Sequence, residues 1–210
     1  MKYYNYSILT LTIFLLFPAT GLRGQSWNYV KEENGIKLFT RDELNSSLNS
    51  FRGEVIFKAS IEKVNLLVGN ANNLDWWDKN ISYIKVLEFE KDKYIRYYII
   101  FDVSWPLSSR DLALDARIST DPVTGIRTVM AKPLLNVVPE KEDLVRIKKY
   151  WQKWTVQPLD KGFVKVTLEG FVDPNGDVPS WIYNMVVTET PLRALESLRT
   201  RALSAKPANN

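Results

Sequence analysis

The chain contains no cysteine and no histidine among its 210 residues. Without cysteine there is no disulfide framework, and a chain of this length can build its core without one. Without histidine it lacks the commonest general base and the commonest zinc ligand. With both missing, every Ser-His and Cys-His nucleophile arrangement is excluded. Carboxylate-only cation sites stay open, but no Asp-x-Asp-x-Asp run of EF-hand type occurs. An excess of one charge is lacking too. The formal net charge is +4, and it falls to +2 once Lys2 and Arg23 at the N-terminus are set aside. No basic stripe is interleaved with stacking aromatics, and Arg146, Lys148, Lys149 and Lys153 read as a solvated strand face. Composition therefore gives little support for nucleic-acid binding and points toward a binding module rather than an enzyme.

One long apolar run is present, from Ile8 to Phe17. It is far shorter than the roughly 20 residues needed to span a bilayer and fits the apolar region of a signal peptide. Small residues follow at Ala19, Gly21 and Gly24. The expectation is a signal peptide over 1–24 cleaved after Gly24, with cleavage after Gly21 as the rival and an uncleaved anchor as the alternative. This places the mature protein in the periplasm or outside the cell. The remainder reads as one domain over 25–203 with a flexible tail over 204–210.

Alternating apolar residues predict strands at Ile36–Arg41, Phe51–Lys58, Ile84–Glu90, Tyr94–Val103, Arg110–Thr120, Arg127–Lys132, Asp143–Pro158 and Phe163–Val172. Turn chemistry separates them at Asn34-Gly35, Asp121-Pro122-Val123-Thr124-Gly125 and Asp160-Lys161-Gly162. Ser60 is placed to cap a helix beginning at Ile61, and Leu74, Trp77 and Ile81 suggest a second short helix. From Pro179 onward, Trp181, Ile182, Met185, Val186, Leu192, Leu195 and Leu198 give a long helix a broad apolar face. Pro191 should kink or split it. Strand following strand by short turns means a mainly antiparallel sheet. The expected fold is α+β, a curved antiparallel sheet wrapped around a long C-terminal helix with an internal apolar cavity.

The stretch Trp105-Pro106-Leu107-Ser108-Ser109-Arg110-Asp111 interrupts two strand patterns. Proline cannot donate to a central ladder, so the break is a loop. Alternation then assigns faces. Ile95, Tyr97, Ile99, Phe101 and Val103 point inward, as do Leu112, Leu114, Ala116 and Ile118, and Val164, Val166, Leu168 and Val172, with Gly170 leaving space. Asp111, Asp115 and Arg117 point outward. Neighbouring strand residues face opposite ways, so Arg110 and Asp111 cannot simply pair with each other. They are read as anchors of loop ends, with ligand contact as the alternative. Trp105 and Leu107 either dip into a membrane surface or close over a ligand, or they pack against the C-terminal helix.

Six segments in this order resemble the StAR-related lipid-transfer (START) domain family and its helix-grip fold. They are Gly35-Ile36 with Arg41, Trp77-Asp78, Val86-Leu87-Glu88, Pro106-Leu107-Ser108-Ser109-Arg110-Asp111, Trp154-Thr155-Val156-Gln157-Pro158, and Asp173-Pro174-x-Gly176…Pro179-Ser180-Trp181…Asn184 with Pro191 and Leu198-Arg199. The resemblance covers nearly the whole mature chain. It implies a tunnel between sheet and helix holding one lipid or other hydrophobic molecule, with no catalysis and no cofactor. The implied ligand-binding residues are Tyr97, Ile99, Phe101, Leu112, Leu114, Ala116, Val164, Val166, Leu168, Trp181, Met185 and Thr188. The implied gate is Trp105, Pro106 and Leu107. Sterol-carrying members often bury an arginine six residues after the motif arginine, and here Ala116 stands at that position. The cavity is therefore expected to be more apolar, with Tyr97 and Thr188 as polar contacts. The implied protein is an exported monomer in transient contact with membranes. An enzyme on the same scaffold, cyclase- or hydrolase-like, is the alternative. An interaction module exposing Trp76 or Trp151 is a third reading.

Overall fold

Period-two alternation carries most of the chain into strands. The computed structural model describes residues 26–102, 108–176 and 178–204. Its strands are β1 (Asn28–Glu33), β2 (Ile36–Asp42), β3 (Asn49–Lys58), β4 (Ile81–Glu90), β5 (Tyr94–Phe101), β6 (Arg110–Thr120), β7 (Arg127–Pro133), β8 (Val145–Arg146), β9 (Tyr150–Pro158) and β10 (Phe163–Val172). They form a ten-stranded sheet in the order β1-β2-β3-β10-β9-β7-β6-β5-β4, with β8 off this path and paired to β6. Every ladder is antiparallel except that between β6 and β8. The helices are α1 (Ile61–Leu67), α2 (Ser180–Val186) and α3 (Glu189–Ser204).

Asn34 and Gly35 both adopt positive φ, 51° and 73°, as a two-residue hairpin turn requires. They join β2 to β1, a strand the alternation does not predict. β1 is an edge strand whose residues are almost all exposed, so it carries no buried stripe to read. Ser60 caps α1 through its side chain, accepting from the Lys63 backbone N–H.

The helix expected around Leu74, Trp77 and Ile81 does not form. That segment is a loop running into β4, and Asn70 and Asp78 accept hydrogen bonds from the backbone N–H groups of Asn72 and Asn80. Such local side-chain bonds compete with helix. The loop buries two adjacent indoles in different places. Trp76 donates to the Leu67 carbonyl at 3.1 Å and packs on Trp154, while Trp77 meets Phe101 edge-on at 5.7 Å. Trp76 is therefore core rather than an exposed patch, and Trp151, half-buried, has the Arg41 guanidinium 5.8 Å from its ring centroid. The single strand expected over Asp143–Pro158 is split into β8 and β9.

The C-terminal helix breaks at Val187–Thr188. Pro191 is the third residue of α3, where its missing N–H would have lacked a helical partner within α3. It could not have bonded back to Val187, so α2 and α3 separate there. α3 packs on β2, β3, β10 and α1. It comes very close to β3 at Gly53, where an added Cβ would lie 2.7 Å from Leu195 Cδ1 and 2.9 Å from Pro191 Cβ. Leu192, Leu195 and Leu198 are buried there against the sheet.

Candidate functional site

α3 sits down tightly on β2, β3 and β10, and the free space lies at the end covered by α2. A cavity of about 340 Å³ opens there, walled by Phe101 of β5, Tyr150 of β9, Val172 of β10 and Ile182, Tyr183 and Val186 of α2. Its polar lining includes Arg110, Asp78 and Gln152. A second, much smaller cavity of about 40 Å³ lies between Tyr97, Ala116 and Trp154. A larger groove of about 550 Å³ runs over the outside of α3, but Lys79, Glu189, Arg193 and Glu196 line it. A binding site for a hydrophobic molecule needs mostly apolar walls, so the cavity under α2 is the candidate.

The structure distributes the expected ligand-binding residues unevenly. Phe101 lines the main cavity. Tyr97 and Ala116 line the small one. Ile99, Leu112, Leu114, Val164, Val166 and Leu168 are buried in the packed core and are absent from the lining of the main cavity. They face inward, but packed side chains fill the space in front of them. The space expected at Gly170 is also taken, because a Cβ there would lie 2.5 Å from the Phe51 ring.

Trp181 and Met185 point away from the cavity, each 68% exposed. Both faces of α2 are apolar. Trp181 and Met185 form one i,i+4 stripe and Ile182 and Val186 the next, and the cavity takes the second. Thr188 is buried at the helix break and its carbonyl accepts from the Leu192 N–H; Val187 and Thr190 stand on the cavity wall instead. Trp105, Pro106, Leu107 and Val103 lie outside the described residues.

Arg110 and Asp111 go to opposite faces. Arg110 is on the cavity side, 5% exposed. It donates to the Ser108 carbonyl through Nη1 and to the Pro174 carbonyl through Nε at 3.4 Å. Burial pulls its guanidinium below the ordinary arginine range. Asp111 is on the outer face but not in solvent. Residues 138–147 cover it, and Arg146 and Tyr98 bond its carboxylate. Arg146 is thus buried rather than part of a solvated strand face, because its partner lies beneath that strap. Burial alone would raise the Asp111 carboxyl; the bonds from Arg146 and Tyr98 outweigh it and hold the group below its ordinary value.

Tyr150 is one polar group of this wall that sequence reasoning missed. Its position in β9 alternates like any core residue and gives no other signal. Its hydroxyl is buried and has no hydrogen-bond partner among the described residues. Burial raises it well above the ordinary tyrosine value, and nearby Tyr97 and Asp78 push it the same way.

No family model matches the chain. The chain is similar to a STAR-related lipid transfer protein of Xanthomonas axonopodis, known as a crystal structure of fragment 25–204. The identity is 30%, the match covers 85% of this chain and 99% of that one, and the TM-score is 0.76. It is 28% identical to an uncharacterised protein of Pseudomonas aeruginosa over 93% of this chain and 97% of that protein. It is 27% identical to the phosphatidylcholine transfer protein of Rattus norvegicus over 78% of this chain and 77% of that protein. With the helix grip in place and a relative matched over almost its whole length, the chain belongs to the StAR-related lipid transfer family.

Proposed function

We propose that this protein is an exported lipid carrier, not an enzyme, that holds one ligand with its apolar part in the cavity under α2. The observation that carries the reading is that cavity, about 340 Å³ and walled chiefly by aromatic and aliphatic side chains. The volume lies at the lower end of the roughly 300–1,000 Å³ range of small-molecule sites. The phosphatidylcholine transfer protein of rat supports the class of cargo. Exposed Trp181, Met185 and Leu44 supply apolar side chains for transient membrane contact, since amphipathic tryptophan favours the bilayer interface. The carrier works as a monomer in the periplasm or outside the cell, after removal of the signal peptide over 1–24.

Native mass spectrometry and solvent extraction of the purified protein test the carrier reading. One hydrophobic molecule per chain is expected, and a Val186→Trp variant that fills the cavity should carry far less. A wild type that is consistently empty and takes up no added lipid overturns it. N-terminal sequencing of the exported protein should begin at Gln25; retention of residues 1–24 in a cytoplasmic product overturns the export reading.

A further inference from the structure

We propose that the cavity selects an amphiphile whose polar end is negatively charged, a carboxylate or a phosphate, and that Arg110 seats that end. This rests on the carrier reading above and adds the headgroup to it.

Three observations support it. First, Arg110 stands on the cavity wall and is only 5% exposed. Second, it has no carboxylate partner among the described residues, unlike the other two buried arginines. Arg146 is paired with Asp111 at 2.7 Å and Arg127 with Asp92 at 3.0 Å. A guanidinium has five N–H donors. The carbonyls of Ser108 and Pro174 take two bonds from it but bring no neutralising charge. A buried cation is costly unless paired, and a carboxylate or phosphate is the partner its planar fork matches. Third, Tyr150 offers on the same wall a buried hydroxyl with no partner among the described residues.

Asp78 also lines this wall and would oppose an anion. It is half-buried, faces the outer groove as well, and accepts from the Asn80 backbone N–H at 2.9 Å. Its charge is therefore partly solvated, whereas that of Arg110 is buried and meets only neutral carbonyls.

The test is a displacement titration on the full mature chain after lipid removal. The probes are oleate and oleoyl lysophosphatidate against oleyl alcohol, with the matching lysophosphatidylcholine and inorganic phosphate as further arms. A charge-assisted pair of this kind predicts that both anionic amphiphiles bind about tenfold or more tighter than the alcohol. Arg110→Gln should erase that preference by weakening the acids at least tenfold more than the alcohol, and Arg110→Lys should keep part of it. Equal binding of alcohol and acids by the wild type overturns the headgroup assignment without touching the carrier reading, and needs no variant to fold. So does a lysophosphatidylcholine that binds as tightly as the lysophosphatidate, or an Arg110→Gln loss that falls equally on acid and alcohol. Displacement by inorganic phosphate alone identifies a free-anion site and overturns the amphiphile. If no chain binds, charged or neutral, the carrier reading falls as well.

Discussion

Arg146 holds Asp111 by both carboxylate oxygens, Nε to Oδ1 at 2.7 Å and Nη2 to Oδ2 at 2.9 Å. Tyr98 donates to Oδ2 at 2.6 Å, and Arg146 also donates to the carbonyls of Val138 and Pro139. One residue of β6 thereby pins the whole strap that precedes β9. Its chain neighbour Arg110, on the opposite face, is left to the cavity. Removing one partner of such a pair leaves a buried charge unmatched, at a cost of about 3–5 kcal/mol. Asp111→Asn and Arg146→Met should each lose that much in urea unfolding, and the double variant less than the sum. A loss within about 0.5 kcal/mol in either single variant would mean the pair does not hold the strap.

The same pair sets an acid limit on stability. The Asp111 carboxyl is held below its ordinary value in the folded protein. Its contribution is then fully present above the unfolded value of about 3.9 and is lost as pH falls through the lower folded value. Melting curves should show a stability loss below about pH 4 that is smaller in Asp111→Asn. Parallel curves for the two proteins would contradict this.

Gly53 is required by space, since the residue has no positive φ. Gly53→Ala puts a methyl 2.9 Å from the Pro191 Cβ, an atom of a ring that cannot rotate away. The variant should lose about 1–3 kcal/mol by overpacking, read as a lower melting temperature. An unchanged melting temperature would show that α3 can lift off β3 without cost.

Tyr150→Phe removes a hydroxyl that has no hydrogen-bond partner among the described residues. Stability should stay level or rise, because deleting an unsatisfied buried polar group removes a desolvation cost. Retention of co-purified ligand should fall. A clear drop in melting temperature would reveal a bond within the protein instead.

Trp181→Ala with Met185→Ala alters two exposed side chains, so stability should stay within about 0.5 kcal/mol. Transfer of a fluorescent lipid between vesicles should slow several-fold. Transfer at the wild-type rate would remove α2 from the membrane-contact surface.

Much of the fold was legible because buried strands advertise themselves. β5, β6 and β10 alternate apolar and polar residues, and one buried face follows from that. β1 did not, since an exposed edge strand has no buried stripe. The segment around Leu74 misled because its spacing is helical while its asparagine and aspartate side chains bond the backbone locally. The site was less legible than the fold. Inward-facing Leu112, Val166 and Leu168 looked like cavity wall, but facing inward does not distinguish packed core from empty space. That depends on how deeply a helix settles, and Gly53 lets α3 settle far. Trp181 and Met185 failed for a related reason: on a two-turn helix with one apolar stripe at Trp181 and Met185 and another at Ile182 and Val186, spacing cannot choose the buried side.

Sequence by itself determined the antiparallel sheet, the split C-terminal helix, the family resemblance and the exclusion of histidine and cysteine chemistry. All of these are local or compositional: period, turn residues, the missing N–H of Pro191, and residue types not present. Only the tertiary structure decided where the cavity lies, which face of α2 covers it, and that Asp111 has a charged partner while Arg110 has none among the described residues. Those depend on contacts between residues far apart in the chain, Gly53 with Leu195 and Asp111 with Arg146. Packing and charge pairing are settled by distance in space, which no spacing along the chain encodes.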